Sequence, residues 1–332
     1  MPPKLSVVVC TFNRGKSLKK CLKSLCQQTF SNFEVVIVDG GSQDNTNQVV
    51  NRFSQKLKIR LFVDRRPELS QVRDRGWREA RGQYVAWIDD DVIASLYWAQ
   101  EIINTLNDST HKNIAGVSGP TIINQKLLAN RDVFSFYHAR GIKKILGEFW
   151  NWFFLEGGKF AVGQITKCGA WTPGSNFSQS LKIRKLQDVD YLEACNMTLR
   201  RNLIEKVGGF DYGYTGVGEW SELDLAIRVK KLGYRLVFNP KARVNHDISR
   251  EGVFKRRTHS RQRMENFFRF YFRHIFKFRL DYIFKFSCYL LFLNSYWGYK
   301  AISTQNINWL GGWVGTATGF LKVLEKNYEN RR

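Results

Sequence analysis

The chain has 332 residues, 43% hydrophobic and 24% charged, enough for one large α/β domain with an appendage or for two domains. Lys and Arg outnumber Asp and Glu 52 to 29, and the net charge of +23 calls for an anionic counterpart: nucleic acid, an anionic lipid surface or a phosphorylated substrate. The six cysteines contain no C-x-x-C pair, which argues against zinc patterns and a dense disulfide framework and leaves reduced, cytosol-facing thiols as the expectation.

Met1-Pro2-Pro3-Lys4 carries no signal-peptide pattern and leads into an apolar run, Leu5 to Cys10, that predicts a first strand. A loop, Thr11 to Gly15, precedes Leu18, Cys21, Leu22 and Leu25 at helical spacing. Phe33 to Val38 predicts a second strand ending at Asp39-Gly40-Gly41-Ser42, followed by a short helix, Thr46 to Phe53. A third strand (Ile59 to Val63), a basic helix (Leu69 to Ala80) and a fourth strand (Tyr84 to Ile88) follow. The fourth strand runs into Asp89-Asp90-Asp91. Three adjacent carboxylates repel unless a cation sits among them, and a hard divalent cation there would also hold a diphosphate. The alternative is a turn in which Asp91 caps a helix from about Val92.

Alternating strands and helices with short connections predict a mostly parallel sheet with helices on both faces. Ligands of such sheets sit at the carboxyl ends of the strands. Thr11, Asn13, Asp39 and Asp89 to Asp91 are therefore expected along one edge, where they suit a nucleotide diphosphate. There is no G-x-G-x-x-G after the first strand and no G-x-x-x-x-G-K-[ST], which argues against a dinucleotide enzyme and a P-loop NTPase.

The second half predicts a helix from Ala94 to Leu106 and a fifth strand from Ile114 to Ile122. Residues 124–190 are rich in aromatics and glycine, a composition that fits a lid or acceptor loop, or alternatively a small aromatic core. Tyr191 to Leu199 predicts a strand, Ser221-x-x-Asp224 a capping-box-like helix start, and Tyr234 to Asn239 another strand, with His246 soon after. From Lys255 to Lys285 basic residues alternate with Phe and Tyr, and Phe286 to Tyr299 is uncharged. That uncharged run is short of the ~20 residues a spanning helix needs. The expectation is a basic, aromatic helix lying flat on an anionic membrane, the alternative being a helix that packs its aromatics on the rest of the protein.

Six segments together resemble family 2 glycosyltransferases of the GT-A fold over roughly residues 4–250. They are LSVVVCTFNR (Leu5 to Arg14), FEVVIVDGGSQDNT (Phe33 to Thr46), LSQVRDRGWREARGQYVAWIDDD (Leu69 to Asp91), the Asn196-Met197-x-x-Arg200-Arg201 segment with Gly208-Gly209-Phe210-Asp211, Ser221-Glu222-Leu223-Asp224, and His246. The resemblance implies an α/β GT-A domain with a Rossmann-like sheet over residues 1–250 and an acceptor or lid region at about 124–190; the basic and aromatic composition beyond it sets the expectation of a helical, membrane-associating extension over 251–332. The resemblance also implies a nucleotide-sugar donor, Mg²⁺ or Mn²⁺, and inversion at the anomeric carbon.

By that resemblance Thr11 and Asn13 contact the nucleotide, Asp39 the base, Arg73 the base or phosphate, and Asp89 the ribose, with Asp90 beside it. Asp91 holds the metal, with His246. Glu222 is the catalytic base, with Glu219 as the fallback. Asn196, Arg200, Trp220 and Asp224 are candidate donor or acceptor contacts. Three motifs depart from the family's usual form: D-D-G-S reads Asp39-Gly40-Gly41-Ser42, R-N-x-G reads Arg73-Asp74-Arg75-Gly76, and E-D-x-D reads Ser221-Glu222-Leu223-Asp224.

The function expected is metal-dependent transfer of a sugar to a glycan or lipid-linked hydroxyl acceptor, on the cytoplasmic face of the cell membrane. The rivals are a protein that only binds nucleotide sugar and one that binds nucleic acid. No nucleic-acid partner is expected, because no such motif occurs and the three aspartates would repel phosphates without a metal.

Overall fold

The computed structural model describes residues 2–66, 68–108, 113–124, 141–248 and 260–329. The first half alternates as its sequence predicts: β1 (Leu5–Thr11), α1 (Gly15–Cys26), β2 (Phe33–Asp39), α2 (Thr46–Ser54), β3 (Ile59–Val63), α3 (Leu69–Glu79) and β4 (Tyr84–Asp89). β1 pairs in parallel with both β2 and β4, and β2 with β3. Successive strand residues bury into different cores. Val7 and Val9 meet Leu18, Leu22 and Val49, whereas Val8 meets Val72, Trp77 and Leu203. Covered faces on both sides explain why these strands read as continuous apolar runs.

The chain then departs from simple alternation. Asp91 does not cap a helix. A short strand, β5 (Val92–Ala94), comes next, and α4 (Trp98–Asn107) begins later. The expected fifth strand is two strands, β6 (Ile114–Ser118) and β7 (Thr121–Ile123), which belong to different sheets. Gly119 stands at the break, where a Cβ would fall 2.1 Å from the Ala242 carbonyl oxygen. Next come α5 (Ile142–Phe153), the hairpin β8 (Val162–Ile165) and β9 (Trp171–Pro173), and β10 (Gln187–Val189). β11 (Met197–Arg200), α6 (Arg201–Lys206), α7 (Ser221–Lys230), β12 (Arg235–Phe238) and β13 (Val244–His246) follow.

The main sheet has eight strands in the order β10-β12-β6-β11-β4-β1-β2-β3. β11 is inserted antiparallel between β4 and β6. A second sheet of three strands, β5-β13-β7, forms beside the acidic end of β4. This is a mostly parallel α/β sheet with helices on both faces and a helical C-terminal region.

The C-terminal helices are α8 (Ser260–His274), α9 (Leu280–Ser303) and α10 (Gly311–Glu329). α8 corrects the expectation of a flat membrane helix, because Phe267, Phe268, Phe270 and Tyr271 are all buried. Its alternation of basic and aromatic residues serves packing against protein. Glu251, Lys255, Arg256 and Arg257, and the expected boundary at 250, lie outside the described residues. α5 forms an aromatic core with α9: Trp150 lies 4.6 Å from Phe292 and Phe154 5.4 Å from Tyr289, ring centre to ring centre. Among the described residues no helix is long and apolar enough to cross a membrane.

Candidate active site

Strand register sets the site. Thr11 pairs with Asp39 across β1 and β2, and Cys10 with Asp89 across β1 and β4. Neighbouring strands lie about 4.8 Å apart, so Asp39 and Asp89 stand on one edge about 10 Å from each other. The loops after β1 and β2 are braced together. The Asn13 N–H donates to Ser42 Oγ at 2.8 Å, and Asn13 Oδ1 accepts from the Gln43 N–H at 2.7 Å. Asn13 adopts a left-handed backbone, φ 53°, which Asn tolerates better than most residues. Asp39 is buried and accepts from the Ser42 N–H at 3.1 Å and the Ser42 hydroxyl at 2.5 Å.

The three aspartates after β4 point in different ways. The Asp89 side chain is 38% exposed, whereas those of Asp90 and Asp91 are 2% exposed. Asp90 accepts from Thr11 Oγ1 at 2.7 Å and pairs with Arg14 Nη1 at 2.8 Å. Its carboxylate is thus turned inward onto Thr11 and Arg14, while that of Asp89 is open to solvent. Burial pushes the Asp90 carboxyl up to about 7; Arg14 and the Thr11 hydroxyl oppose that, and the neighbouring aspartates add to it.

Asp91 pairs with Arg14 Nη2 and, through Oδ1, with His246 Nε2 at 3.1 Å. Backbone pairing delivers that histidine: His246 lies opposite Val92 in the β5–β13 ladder, and the Asp247 N–H donates to the Asp91 carbonyl at 2.9 Å. Asp89, Asp91 and His246 each offer a ligand atom, all within 4.8 Å of one another. Two carboxylates and one imidazole so placed can hold a divalent ion, Mg²⁺ or Mn²⁺. Asp89 thus joins the set that the sequence reading limited to Asp91 and His246.

Arg73 reaches this edge from α3, which packs closely on β1 at Gly76, where a Cβ would fall 2.3 Å from Val8 Cγ1. The Arg73 side chain is buried, with Nη1 3.3 Å from Glu222 Oε2 and Nη2 3.8 Å from Asp89 Oδ1. One guanidinium therefore connects the base candidate to the acidic edge. Glu222 sits in the first turn of α7. Burial pushes its carboxyl above the usual range, and the charge of Arg73 pulls the other way. A carboxylate raised in this way is a stronger proton acceptor.

The expected capping box is not made. The residue before α7 is Trp220 in a left-handed conformation, φ 68°, and Ser221 is the first helical residue, its hydroxyl 3.3 Å from Glu222 Oε2. A tryptophan in that region carries about 1–3 kcal/mol of strain. Packing on Phe267, 5.5 Å away between ring centres, holds it there.

The remaining expected contacts are engaged by other parts of the protein in this structure. Asp224 is fully buried, away from Glu222's partners, and bound by His274 Nε2 at 2.7 Å, Arg228 Nε at 2.7 Å and Arg273 Nη1 at 3.0 Å. Asn196 bridges Trp98 Nε1, at 2.8 Å, and the Ala242 carbonyl, at 2.9 Å. Arg200 pairs in register with Tyr84, at the opposite end of the strand from Asp89, and donates to the carbonyls of Ile114 and Leu106. Glu219 is paired with Arg263 of α8 at 2.5 Å.

Two residues escaped the sequence reading. Arg14 neutralises Asp90 and Asp91, and its position directly after the β1 loop was the available signal. Glu193 accepts from Ser175 Oγ, and burial pushes its carboxyl up to about 7 against that hydrogen bond and the field of His246. A lone acid in the apolar run Tyr191-Leu192-Glu193-Ala194-Cys195 was its signal.

A sheet edge bearing a metal-competent acidic cluster and a buried, arginine-paired glutamate is the arrangement of a GT-A glycosyltransferase domain. Residues 6–164, just under half of the chain, match the family model of glycosyl transferase family 2, so that part is a domain of this family. Among its relatives, a cholesterol galactosyltransferase of Borreliella burgdorferi is 34% identical over 94 residues, 28% of this chain and 26% of that protein. The match thus spans about a quarter of that relative's length. A glucosyl-dolichyl phosphate glucuronosyltransferase of Haloferax volcanii is 25% identical over 253 residues, 74% of this chain and 69% of that protein. A mannosyltransferase of Pyrobaculum calidifontis, solved with GDP-Man and Mn²⁺, superposes with a TM-score of 0.54 at 15% identity, covering 98% of this chain and 88% of that one. At that identity the likeness speaks for the fold.

Proposed function

We propose that the protein transfers a sugar from a nucleotide-diphosphate donor to an acceptor hydroxyl, with inversion, and that the acceptor is a lipid-linked glycan or polysaccharide precursor at a membrane surface. The observation that carries this reading is the Arg73 guanidinium standing between Glu222 and Asp89, at 3.3 Å and 3.8 Å. It ties a group able to take a proton to the edge where a diphosphate would leave.

Glu222 takes the proton of the acceptor hydroxyl, whose oxygen attacks the anomeric carbon opposite the leaving diphosphate. Arg73 keeps Glu222 oriented and supplies positive charge beside the leaving group. Asp89, Asp91 and His246 would hold the divalent ion, Mg²⁺ or Mn²⁺, which would offset the charge that develops on the diphosphate. Asp39, Asn13 and Ser42 form the braced pair of loops against which the base and ribose rest. Relatives named for action on cholesterol and on a dolichyl phosphate support a lipid acceptor. The transferase domain is taken as residues 1–250 and the helical region as 251–332, at the cytoplasmic face of the cell membrane.

The test is nucleotide release across UDP-, GDP- and dTDP-sugars with Mn²⁺, for the wild type and Glu222→Gln. The reading requires release by the wild type with at least one donor, and donor binding without release by Glu222→Gln. Full activity of Glu222→Gln would remove Glu222 as the base. Donor binding without release by the wild type, whatever the acceptor supplied, would favour a binding protein.

A further inference from the structure

α9 has one long side that the described protein leaves largely exposed. Cys288, Tyr289 and Phe292 meet α5, and Phe286, Leu290 and Leu293 meet α8. Trp313 of α10 borders the remaining side near its C-terminal end, at Asn294 and Gly298. That side carries Leu280, Phe284, Leu291 and Ile302, which recur at helical spacing over about 33 Å. Leu291 is 70% exposed and Ile302 80% exposed.

The flanking helices extend this apolar row. α5 presents Ile145, Leu146, Phe149 and Trp152 at helical spacing, with Trp152 67% exposed. Its Phe153 meets Phe284 edge-on at 6.1 Å, so the α5 surface adjoins the open side of α9. α10 presents Trp313, Val314, Phe320, Leu321 and Leu324. Exposed apolar faces on three adjoining helices exceed what a soluble surface ordinarily leaves open.

We propose that the exposed faces of α5, α9 and α10 form one surface that seats in the interfacial layer of an anionic bilayer, with α9 lying parallel to the membrane. The inference deepens the membrane-surface part of the function above, and the docking stands whatever sugar is transferred. Charge selects this occupant. Lys277 and Arg279 stand at the start of α9 and Lys144 on α5, while the stretch from Phe286 to Tyr299 is uncharged. Lys300 lies on the other side of α9, over Tyr296 and Trp309. An apolar strip with cations beside it matches an acyl layer bounded by anionic headgroups. The tryptophans and tyrosine on the surface, Trp152, Trp313 and Tyr299, are residue types that favour the headgroup level. Acids near it are paired: Glu148 with Lys159 at 3.0 Å, Glu156 with Lys285 at 2.8 Å, and Asp281 with Lys167 at 3.1 Å and Arg279 at 3.0 Å. No described helix is fit to cross the bilayer, which suits a surface that lies on it. α8 separates this surface from the segment that carries Glu219, Trp220 and Glu222, so a lipid-borne acceptor would have only one helix layer to clear.

The test is flotation of the full chain with phosphatidylcholine vesicles and with mixed phosphatidylcholine–phosphatidylglycerol vesicles, at low and high salt. The wild type should float with the mixed vesicles and less so at high salt. Trp152→Glu with Leu291→Glu should weaken flotation at least about tenfold while the melting temperature and Mn²⁺-dependent nucleotide binding stay unchanged. Lys277→Glu with Arg279→Glu should weaken it by a smaller factor and remove much of its salt dependence. A wild type that stays with the soluble fraction, or apolar variants that float as it does, would overturn the proposal. So would vesicle-independent self-association that the apolar variants abolish, because a second copy would then cover the surface. Absence of glycosyl transfer alongside intact flotation would overturn the reaction and leave the docking standing.

Discussion

Arg73 Nη1 lies 3.3 Å from Glu222 Oε2, inside a site where burial has already pushed the glutamate's carboxyl upward. The two effects oppose each other. Burial disfavours the ionised glutamate, and the guanidinium favours it. Arg73 thus opposes the protonation of Glu222 that burial favours.

A pH profile follows from that balance. Glu222 must be ionised to accept the acceptor's proton, so kcat/KM should fall on the acid side as Glu222 is protonated. Arg73→Leu removes the group that pulls the carboxyl down while burial remains, so the acid limb should move to higher pH and turnover should fall by about 10²–10⁴. An acid limb that stays where it was would separate Arg73 from the base.

Glu222→Gln carries a second, opposite prediction for stability. A carboxyl whose folded value is raised contributes stability below its unfolded value, about 4.3, and loses it as pH rises through the folded value. The neutral amide is free of that loss. Glu222→Gln should therefore melt higher than the wild type at alkaline pH, with the gain shrinking toward acid. Melting curves across pH measure this without any substrate.

The acidic cluster predicts a division among neighbours. Asp91→Asn and His246→Ala should each weaken Mn²⁺-dependent nucleotide binding by roughly 10–100-fold, the range typical for lost ligands or their close supports. Calorimetric titration with UDP and GDP, with and without Mn²⁺ and again after chelation, measures it. Equal binding by the Asp91→Asn protein in Mn²⁺ would remove the aspartate from the ligand set.

How much of this was legible in the sequence depends on the range of the pairing that decides it. The parallel core from β1 to β4 was legible, because strands buried on both faces must be apolar throughout, and the acids at Asp39 and Asp89 mark where they end. β5, β7 and β13 were not, since each is three residues long and none carries a period of its own. Their pairing nevertheless puts His246 against Asp91. Asn196 and Arg200 are candidate contacts by their motif, and in the structure they bind carbonyls and an indole, work that a motif does not distinguish from ligand contact. For α8 the sequence left two readings, because basic and aromatic alternation suits a bilayer or a protein equally; the residues that decide it, among them Asp211, Thr215 and Trp220, lie far away in the sequence.

The departure at Asp74 has a structural reason that can be tested. Its buried carboxylate accepts from Trp77 Nε1 at 2.5 Å, Arg78 Nε at 2.7 Å, the Phe210 N–H at 3.0 Å and the Tyr212 hydroxyl at 2.6 Å. It pins the turn at Gly209 to α3 and so fixes the approach to α7. Asp74→Ala leaves several buried donors unsatisfied and should cost about 3 kcal/mol or more. Denaturant unfolding checks the loss. A cost near zero would mean that the turn is held by packing alone.

The joint between α7 and α8 should be acid-labile. Burial pushes the Asp224 carboxyl up, but the His274 hydrogen bond and the charges of Arg228 and Arg273 outweigh it and hold the carboxyl below the usual range. A depressed carboxyl contributes stability above its unfolded value, about 3.9, and loses it as pH falls through the folded value. His274 is itself depressed, by burial first, with Asp224 opposing. It too costs stability as pH falls from about 6.5, since the unfolded chain takes up that proton more readily. Both shifts have the same sign, so the joint should weaken in two stages on acidification, first through His274 and then through Asp224. Asp224→Asn should lower the melting temperature most near neutral pH, with the difference from wild type narrowing in strong acid. Because Trp220 and Glu219 are held by the same helix, through Phe267 and Arg263, the variant should also lose kcat while keeping the KM for donor. A penalty that is the same at every pH would show that Asp224 acts there by shape and not by charge.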